Sequence, residues 1–209
     1  MSERSAWLDI PLDDYERHMA LPSIGQASML ADQLEHLIAR RSPRSVAVAG
    51  CAGGNGFERI GPTVERIVAI DINPAYLEAV QDRFAARLSG LELYCADVGS
   101  AALRFAPVDL IYAGLIFEYV DPAAALATFR RNLRAQGALA ALVQLPAGQS
   151  RVSQSPYLSL KALSGSMRLI LPTDLCRAAA SAGFVPDDSR SIGLASGKRF
   201  HLQVFAARR

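Results

Sequence analysis

Apolar and polar positions alternate along the 209-residue chain in short, distinct segments. In residues 24–40, Ala27, Leu30, Leu34, Leu37 and Ile38 recur at three- and four-residue intervals, the spacing of one helical face. Residues 45–49 read Ser-Val-Ala-Val-Ala, an apolar run of strand length that stops at a cluster of glycines. The pattern predicts a short helix through 57–61, starting inside that cluster, and a second strand over 66–70 that ends at Asp71. Pro74 opens a helix over 74–88, where its missing N–H costs little, with Leu77, Val80, Phe84 and Leu88 on one face. A third strand over 91–95 ends near Asp97, and a fourth spans 108–113. A helix over 123–133 is closed by Gly137 at or just past its C-cap, and a fifth strand follows over 138–145. Strands alternating with helices through short connections predict a mostly parallel, doubly wound sheet.

After Pro146 the rhythm changes. Residues 149–165 carry many serines and read as an irregular excursion. Residues 173–182 predict a helix capped by Thr173 and ended by Gly183. Residues 184–192 and 199–206 read as two strands, paired antiparallel through the short loop around Ser196 and Gly197.

Composition narrows the function classes. Apolar residues make up 51% and charged ones 20%, the profile of a folded globular chain. A net charge of +2 gives no electrostatic case for DNA, RNA or an anionic membrane. Arg40, Arg41 and Arg44 cluster at the end of the first long helix, where the helix dipole favours cations. The three cysteines, Cys51, Cys95 and Cys176, are too few and too scattered for a disulfide framework or a zinc site. Cys51 and Cys95 lie in or beside apolar runs and are expected to be buried. Residues 1–14 lack the basic start and apolar core of a signal peptide, and no apolar run reaches membrane-spanning length. These features predict a cytoplasmic protein.

The chemistry concentrates after the first strand. Residues 48–56 read Val-Ala-Gly-Cys-Ala-Gly-Gly-Asn-Gly. Glycine lets the backbone turn sharply and lets a ligand lie against the main chain, and such a turn is the usual nucleotide seat of a doubly wound sheet. A plain tight turn would have the same composition. Asp71, twenty-one residues past Gly50, is placed to accept hydrogen bonds from both hydroxyls of a ribose. It is equally placed to cap the next helix, and the two roles are compatible. Asp97, in Cys95-Ala-Asp-Val98, is placed to accept from the exocyclic amine of adenine while a neighbouring N–H bonds a ring nitrogen. An ordinary loop aspartate is the alternative.

This order of glycine turn, acid after strand two and acid after strand three, followed by Val108-Asp-Leu-Ile-Tyr-Ala-Gly-Leu-Ile-Phe-Glu-Tyr-Val-Asp-Pro122, resembles the class I S-adenosylmethionine-dependent methyltransferases. Phe129-Arg-Arg-Asn-Leu-Arg-Ala-Gln-Gly137 resembles the helix and turn that lead into that family's fifth strand. The likeness covers residues 25–145 well and the tail loosely. It implies an α/β fold with a Rossmann-like, doubly wound, mostly parallel seven-stranded sheet and an antiparallel C-terminal hairpin. It also implies one domain over 1–209. Residues 1–44 would form an N-terminal helical lid and first helix, 45–145 the cofactor-binding core, and 146–209 an acceptor-side insertion and the last strands.

Carried over position by position, the resemblance puts Gly50, Cys51, Ala52 and Gly54 beside the methionine and ribose part of S-adenosylmethionine. Asp71 would hold the ribose hydroxyls, Ile72 would pack on adenine, and Asp97 and Val98 would read the adenine edge. Ala113, Gly114 and Leu115 would close the pocket at the end of strand four. The chain departs from the family at two places: Val48 stands where an acid often precedes the first glycine, and Ala52 stands where the middle glycine is usual. The rival cofactor is NAD, whose Gly-x-Gly-x-x-Gly would also need glycine at Ala52, whereas the glycines fall at 50, 53, 54 and 56. Asp71 suits either cofactor; Asp97 and residues 108–137 favour the methyl donor.

The expected activity is methyl transfer to a small-molecule acceptor, without a metal and without a nucleic-acid or membrane partner. Alignment of acceptor and methyl supplies much of the rate, about 7–11 kcal/mol for well-oriented groups. Candidates for a base are His18, in a segment that would cover the pocket, and Glu118, at the end of strand four or else a solvated loop acid. Tyr119 is the third candidate and is better suited to shaping the pocket or turning its ring to the sulfonium. Residues 149–165, with Tyr157, fall where such proteins elaborate acceptor sites. They hold no nucleophile–base–acid set, which excludes hydrolase chemistry. The alternatives are a non-catalytic member of the fold, which Val48 and Ala52 keep open, and an NAD-dependent oxidoreductase.

Overall fold

Apolar runs in the sequence become the strands of a single sheet, and the computed structural model describes residues 5–146, 153 and 156–208. In chain order the elements are α1 (Leu12–Ala20), α2 (Gln26–Arg41), β1 (Ser45–Ala49), β2 (Arg66–Asp71), α3 (Pro74–Phe84), β3 (Leu91–Cys95) and β4 (Val108–Gly114). There follow α4 (Pro122–Arg131), β5 (Leu133–Gln144), α5 (Leu163–Ser166), α6 (Pro172–Ser181), β6 (Phe184–Gly193) and β7 (Arg199–Ala207). The seven strands run in the order β3-β2-β1-β4-β5-β7-β6. β3, β2, β1, β4 and β5 are parallel, while β7 pairs antiparallel with both β5 and β6. This is the Rossmann-like sheet with a C-terminal hairpin that the pattern predicts. Among the described residues, no helix is long and apolar enough to cross a membrane.

All five residues of β1 are buried, as expected of a central parallel strand covered on both faces. Its side chains alternate between two cores. Val46 and Val48 meet Leu34, Leu37 and Ile38 of α2, with Leu77 and Val80 of α3. Ala47 and Ala49 face the other core, with Leu126 and Phe129 of α4 and Leu175 of α6. Full burial of a side chain such as Phe129 stabilises by about 1.5–3 kcal/mol, so both faces contribute to holding the strand ends in place. The arginine cluster is a charged helix end, as expected. Arg41 pairs with Asp187, Arg40 lies 3.8 Å from Asp188, and Arg44 lies 2.6 Å from Glu65.

Several boundaries differ from the expected ones. The first crossover holds only a 3-10 turn, Phe57–Arg59, because Gly54 and Gly56 adopt left-handed backbone before it and Gly61-Pro62 cuts it short. α3 stops at Phe84, four residues early, although Leu88 is still buried. Gly137 is not a helix cap. α4 ends at Arg131, and Gly137 lies inside β5, at an irregularity where β4 advances from Val108 to Leu110 while β5 advances from Leu133 to Ala138. Thr173 does not cap α6; Leu171 occupies the N-cap, makes no side-chain cap bond, and is followed by Pro172. Cys51 is buried, but Cys95 is exposed at the end of β3, which is an edge strand. Of the serine-rich stretch, residues 149–152, 154 and 155 lie outside the described residues, and the rest includes a 3-10 turn, Leu158–Ala162, leading into α5.

Candidate active site

The chain builds β1, β2 and β3 outward in one direction and then returns to lay β4 on the other side of β1. A doubly wound sheet opens a crevice at such a reversal, beyond the carboxyl ends of its strands. A cavity of about 980 Å³ lies there. Gly50, Ala52, Asp71, Ile72, Asp97 and Val98 line it from the β1–β3 side. Gly114, Leu115, Glu118, Tyr119, Gln144 and Lys198 line it from the β4–β7 side. Trp7, Tyr15, His18 and Met19 bring the N-terminal segment against it, and Leu160, Leu163 and Met167 bring the segment after residue 157.

On the β1 side the backbone itself forms the wall. The N–H groups of Gly50 and Cys51 both donate to the Ile70 carbonyl, at 2.9 and 3.1 Å, which folds the chain back over β2. Gly50 has φ +72°, and a Cβ there would come within 3.0 Å of the Ile116 side chain. Ala52 takes the left-handed backbone usual for glycine, φ +46°, at a cost of about 1–2 kcal/mol. Its N–H donates to Asp71 Oδ2 at 2.9 Å, which helps hold that conformation. Asp71 Oδ1 accepts from the Asn73 N–H at 2.9 Å, and the Asn73 side chain in turn caps α3 by accepting from Ala75 N. The cap is therefore Asn73, and Asp71 shapes the turn before it. Asp71 is 8% exposed. Burial raises its pKa above the ordinary carboxylate value, against the N–H groups of Asn73, Ala52 and Ile72. Each carboxylate oxygen keeps lone-pair capacity toward the cavity. Asp97 is exposed at the rim, with Oδ1 accepting from Gly99 N at 2.8 Å, and Val98 is buried beside it.

Three expected positions do not line this cavity. Cys51 packs into the core under α2, and Ala113 points into the opposite core under α4. Gly54 lies against the Phe84 ring, where an added Cβ would come within 2.6 Å. Ala113 points away because successive side chains of a strand face opposite sides of the sheet.

The β4–β7 side carries a polar line. Glu118 is 1% exposed, so it is not a solvated loop acid. Its Oε1 accepts from the Gln144 backbone N–H at 2.7 Å, and its Oε2 is buried with no hydrogen-bond partner among the described residues. Burial pushes its pKa up to about 7, opposed by the N–H groups of Gln144 and of Glu118 itself. The Gln144 side-chain carbonyl accepts from Lys198 Nζ at 3.2 Å. Lys198 is 4% exposed, and burial lowers its pKa to about 8. His18, also buried, has its pKa lowered by burial and then by the charge of Lys198. Its Nδ1 has no hydrogen-bond partner among the described residues. The Tyr119 ring meets Trp7 edge-on at 5.0 Å, and Trp7 meets Tyr15 at 5.4 Å. Burial, then the charge of Glu118, raises the Tyr119 pKa, which favours the protonated phenol.

Residues 48–141 match the family model of the methyltransferase domain. This stretch is similar to a methyltransferase domain. No curated protein matches the chain in sequence. Solved structures match its fold. The 1,6-didemethyltoxoflavin-N1-methyltransferase of Burkholderia thailandensis has 1,6-didemethyltoxoflavin and S-adenosylhomocysteine bound. It superposes with TM-score 0.69 at 17% identity, over 95% of this chain and 85% of that one. The N-methyltransferase NodS of Bradyrhizobium japonicum WM9, in complex with S-adenosylhomocysteine, gives TM-score 0.65 at 16% identity, over 96% and 90%. The cyclase SpnF gives TM-score 0.65 at 16% identity, over 85% and 81%. At such identities the likeness establishes the fold, and a cyclase among the matches shows that the fold alone does not fix the reaction.

The structure brings Gly50, Ala52, Asp71, Ile72, Asp97, Val98, Gly114 and Leu115 to one cavity, with His18, Glu118 and Tyr119. Sequence reasoning missed Trp7, Gln144 and Lys198. Gln144 ends strand five as Asp71 ends strand two, so the same strand-end rule would have found it. Lys198 carries no such signal. It reaches the cavity because β7 pairs with β5, Gln144 opposite Phe200.

Proposed function

We propose that the chain transfers a methyl group from S-adenosylmethionine to a small-molecule acceptor. The observation that carries this reading is the Asp71 carboxylate, held by two backbone N–H groups at the end of β2 and facing the cavity between Gly50 and the Asp97-Val98 turn. That arrangement fits an adenosyl group. Asp71 would accept from the ribose hydroxyls, Ile72 and Val98 would flank the base, and Asp97 would meet its exocyclic amine. Gly50, Ala52, Gly114 and Leu115 would let the rest of the donor lie against the main chain. When bound, the donor supplies a methyl group already activated on a sulfonium.

The chain's own residues orient the acceptor and exclude water. Trp7, Tyr15, Leu160 and Met167 form a mostly apolar roof, the surroundings that favour charge dispersal during transfer. Glu118 and His18 face the cavity with an oxygen and a nitrogen that have no hydrogen-bond partner among the described residues, in position to hold or take an acceptor proton. A cavity of about 980 Å³ is at the upper end of the range for ligand pockets, room for the donor and a small acceptor together. In this reading residues 1–44 act as lid and first helix, 45–145 as the donor-binding core, and 146–209 as the acceptor side.

Calorimetric titration of the purified protein with S-adenosylmethionine, S-adenosylhomocysteine and NAD tests the donor. Both adenosyl ligands should bind. Asp71→Ala should weaken them at least about tenfold, since hydrogen bonds to a charged group contribute about 1.5–3 kcal/mol each. Binding of NAD alone would overturn the reading. Incubation of cell extract with methyl-labelled donor tests the acceptor class: label should appear in the low-mass fraction, and label confined to macromolecules would refute a small acceptor.

A further inference from the structure

The glycine turn after β1 is a wall of main chain between two spaces. Gly50 and Ala52 line the large cavity, whereas Gly53 and Gly54 line a second one, of about 250 Å³, beside α1 and the end of α3. Tyr15 and Met19 of α1 line both. A wall with so little side chain is held by its backbone polar groups. Toward the large cavity, the Ala52 N–H donates to Asp71. Toward the second one, the Gly53 carbonyl accepts from Arg83 Nη1 of α3 at 3.1 Å. The same guanidinium pairs with Glu16 of α1 through two nitrogens, Nη1 to Oε1 and Nη2 to Oε2, the latter at 3.1 Å. Such a two-point pairing fixes the plane of the guanidinium as well as its charge. Gly53 does not share the left-handed backbone of Gly50, Gly54 and Gly56. What it lacks is room: a Cβ there would collide with Glu16 Oε1 and lie 2.6 Å from Arg83 Nη1. An ion pair seated directly on the turn keeps this position bare.

Resting on the methyl-transfer reading above, we propose that Arg83 is a positioning residue for the methyl donor. Clamped by Glu16, it holds the Gly53 carbonyl from behind, sets the turn that Gly50 and Ala52 present to the cavity, and ties that turn to the lid helix α1. Gly50 and Ala52 meet a ligand chiefly with main chain, so no side-chain rotation makes up for a shift of the turn. Ala52 keeps its left-handed backbone against a local cost, and a support on the next residue opposes its relaxation. The Arg83 and Glu16 side chains are 44% and 36% exposed. An ion pair so exposed adds little to global stability. The effect of the clamp therefore falls on donor binding and on the closing of α1 rather than on folding.

S-adenosylhomocysteine is titrated into wild type, Arg83→Met, Arg83→Lys, Glu16→Gln, the Glu16→Gln/Arg83→Met double variant and Arg44→Met. Arg44 makes a comparable two-point pair with Glu65, lines neither cavity, and serves as the control for a lost surface charge. Arg83→Met should weaken binding at least about threefold. Its thermal midpoint should fall by no more than about 4 °C. Arg83→Lys, a point charge without the fork, should lie between wild type and Arg83→Met. Glu16→Gln should weaken binding less than Arg83→Met, and its effect should vanish in the Arg83→Met background. Arg44→Met should bind as wild type does. A loss smaller than about threefold in Arg83→Met, an equal loss in Arg44→Met, or additive effects of Glu16→Gln and Arg83→Met would overturn the assignment. If Arg83→Met does not fold, Arg83→Lys and Glu16→Gln decide, and unchanged affinity in both overturns it. Failure of wild type to bind S-adenosylhomocysteine would sink the donor reading, and the clamp is then read in the ligand-free protein. There, Arg83→Met should speed amide hydrogen exchange at residues 50–54 and in α1 relative to Arg44→Met, and equal exchange in the two variants would overturn it.

Discussion

Glu118 has one carboxylate oxygen held by a backbone N–H and the other buried without a partner among the described residues. Its pKa rises from the ordinary 4.5 to about 7 because burial disfavours the charged form. Between those values the folded protein holds a proton that the unfolded chain releases. The stability tied to this proton is fully present below pH 4.5 and is lost as the pH rises through about 7. A shift of this size corresponds to about 3 kcal/mol. Glu118→Gln keeps an acceptor for Gln144 N and removes the charge. Denaturant unfolding should show the variant close to wild type at low pH and more stable by up to about 3 kcal/mol above pH 8, and parallel curves would refute the shift. Residues of this kind mark the limit of what sequence reveals. Asp71 and Asp97 were legible because each closes a strand that its own neighbours define. Glu118 was legible as a position but not as a buried group, since its burial comes from β5 and the roof. Lys198, Gln144 and Trp7 meet only after the chain has paired β7 with β5 and laid its N-terminal segment over β2 and α3.

Strand positions followed directly from apolar runs bounded by glycine and aspartate, and six of the seven strands differ from expectation by at most one residue at either end. Helix ends were less legible, because local residues compete for them. Asn73 takes the cap that Asp71 is equally placed to make, and Leu171-Pro172 moves the start of α6 ahead of Thr173. β5 is the exception among the strands, starting at Leu133, because its pairing with Val108 of β4 overrides the turn signal of Gly137. The connection into β3 has a requirement of its own. Gly90 is pressed so closely against β2 that a Cβ would come within 1.9 Å of the Glu65 carbonyl oxygen. Its own carbonyl accepts from Ile67 N at 2.9 Å, so the turn cannot drift away without losing that bond. Gly90→Ala should destabilise by about 1–3 kcal/mol, the usual cost of overpacking. Gly61→Ala, with nothing within 4 Å of the added carbon, is the control and should stay near wild type. Similar denaturation midpoints for the two variants would contradict the close approach of β3's entry to β2.

At the scale of the molecule, the cavity lies between two bodies of chain: the carboxyl edge of the sheet and a roof made by the N-terminal segment and residues 157–170. The roof is tied down at a few points. The Tyr76 hydroxyl donates to the Ile10 carbonyl and the Asn73 side chain to the Trp7 carbonyl, both at 2.9 Å. Ser159 donates to Asp14 at 2.6 Å, which joins the two parts of the roof to each other. Asn73 stands in a special place among these. Its backbone N–H bonds Asp71, its side-chain oxygen caps α3, and its side-chain nitrogen holds the roof. A ligand that fixes Asp71 therefore also fixes the residue from which the N-terminal segment hangs. Ligand at a hundred times its dissociation constant stabilises the bound state by about 2.7 kcal/mol, and local opening of any part that must be closed to bind is suppressed accordingly. Saturation with S-adenosylhomocysteine should slow amide hydrogen exchange in α1 as well as in the turn at residues 50–54, and Asn73→Ala should weaken the effect in α1 more than in the turn. Protection confined to the sheet edge, with α1 exchanging as in the free protein, would show that the roof is fixed independently of the ligand and that residues 1–44 do not act as a lid.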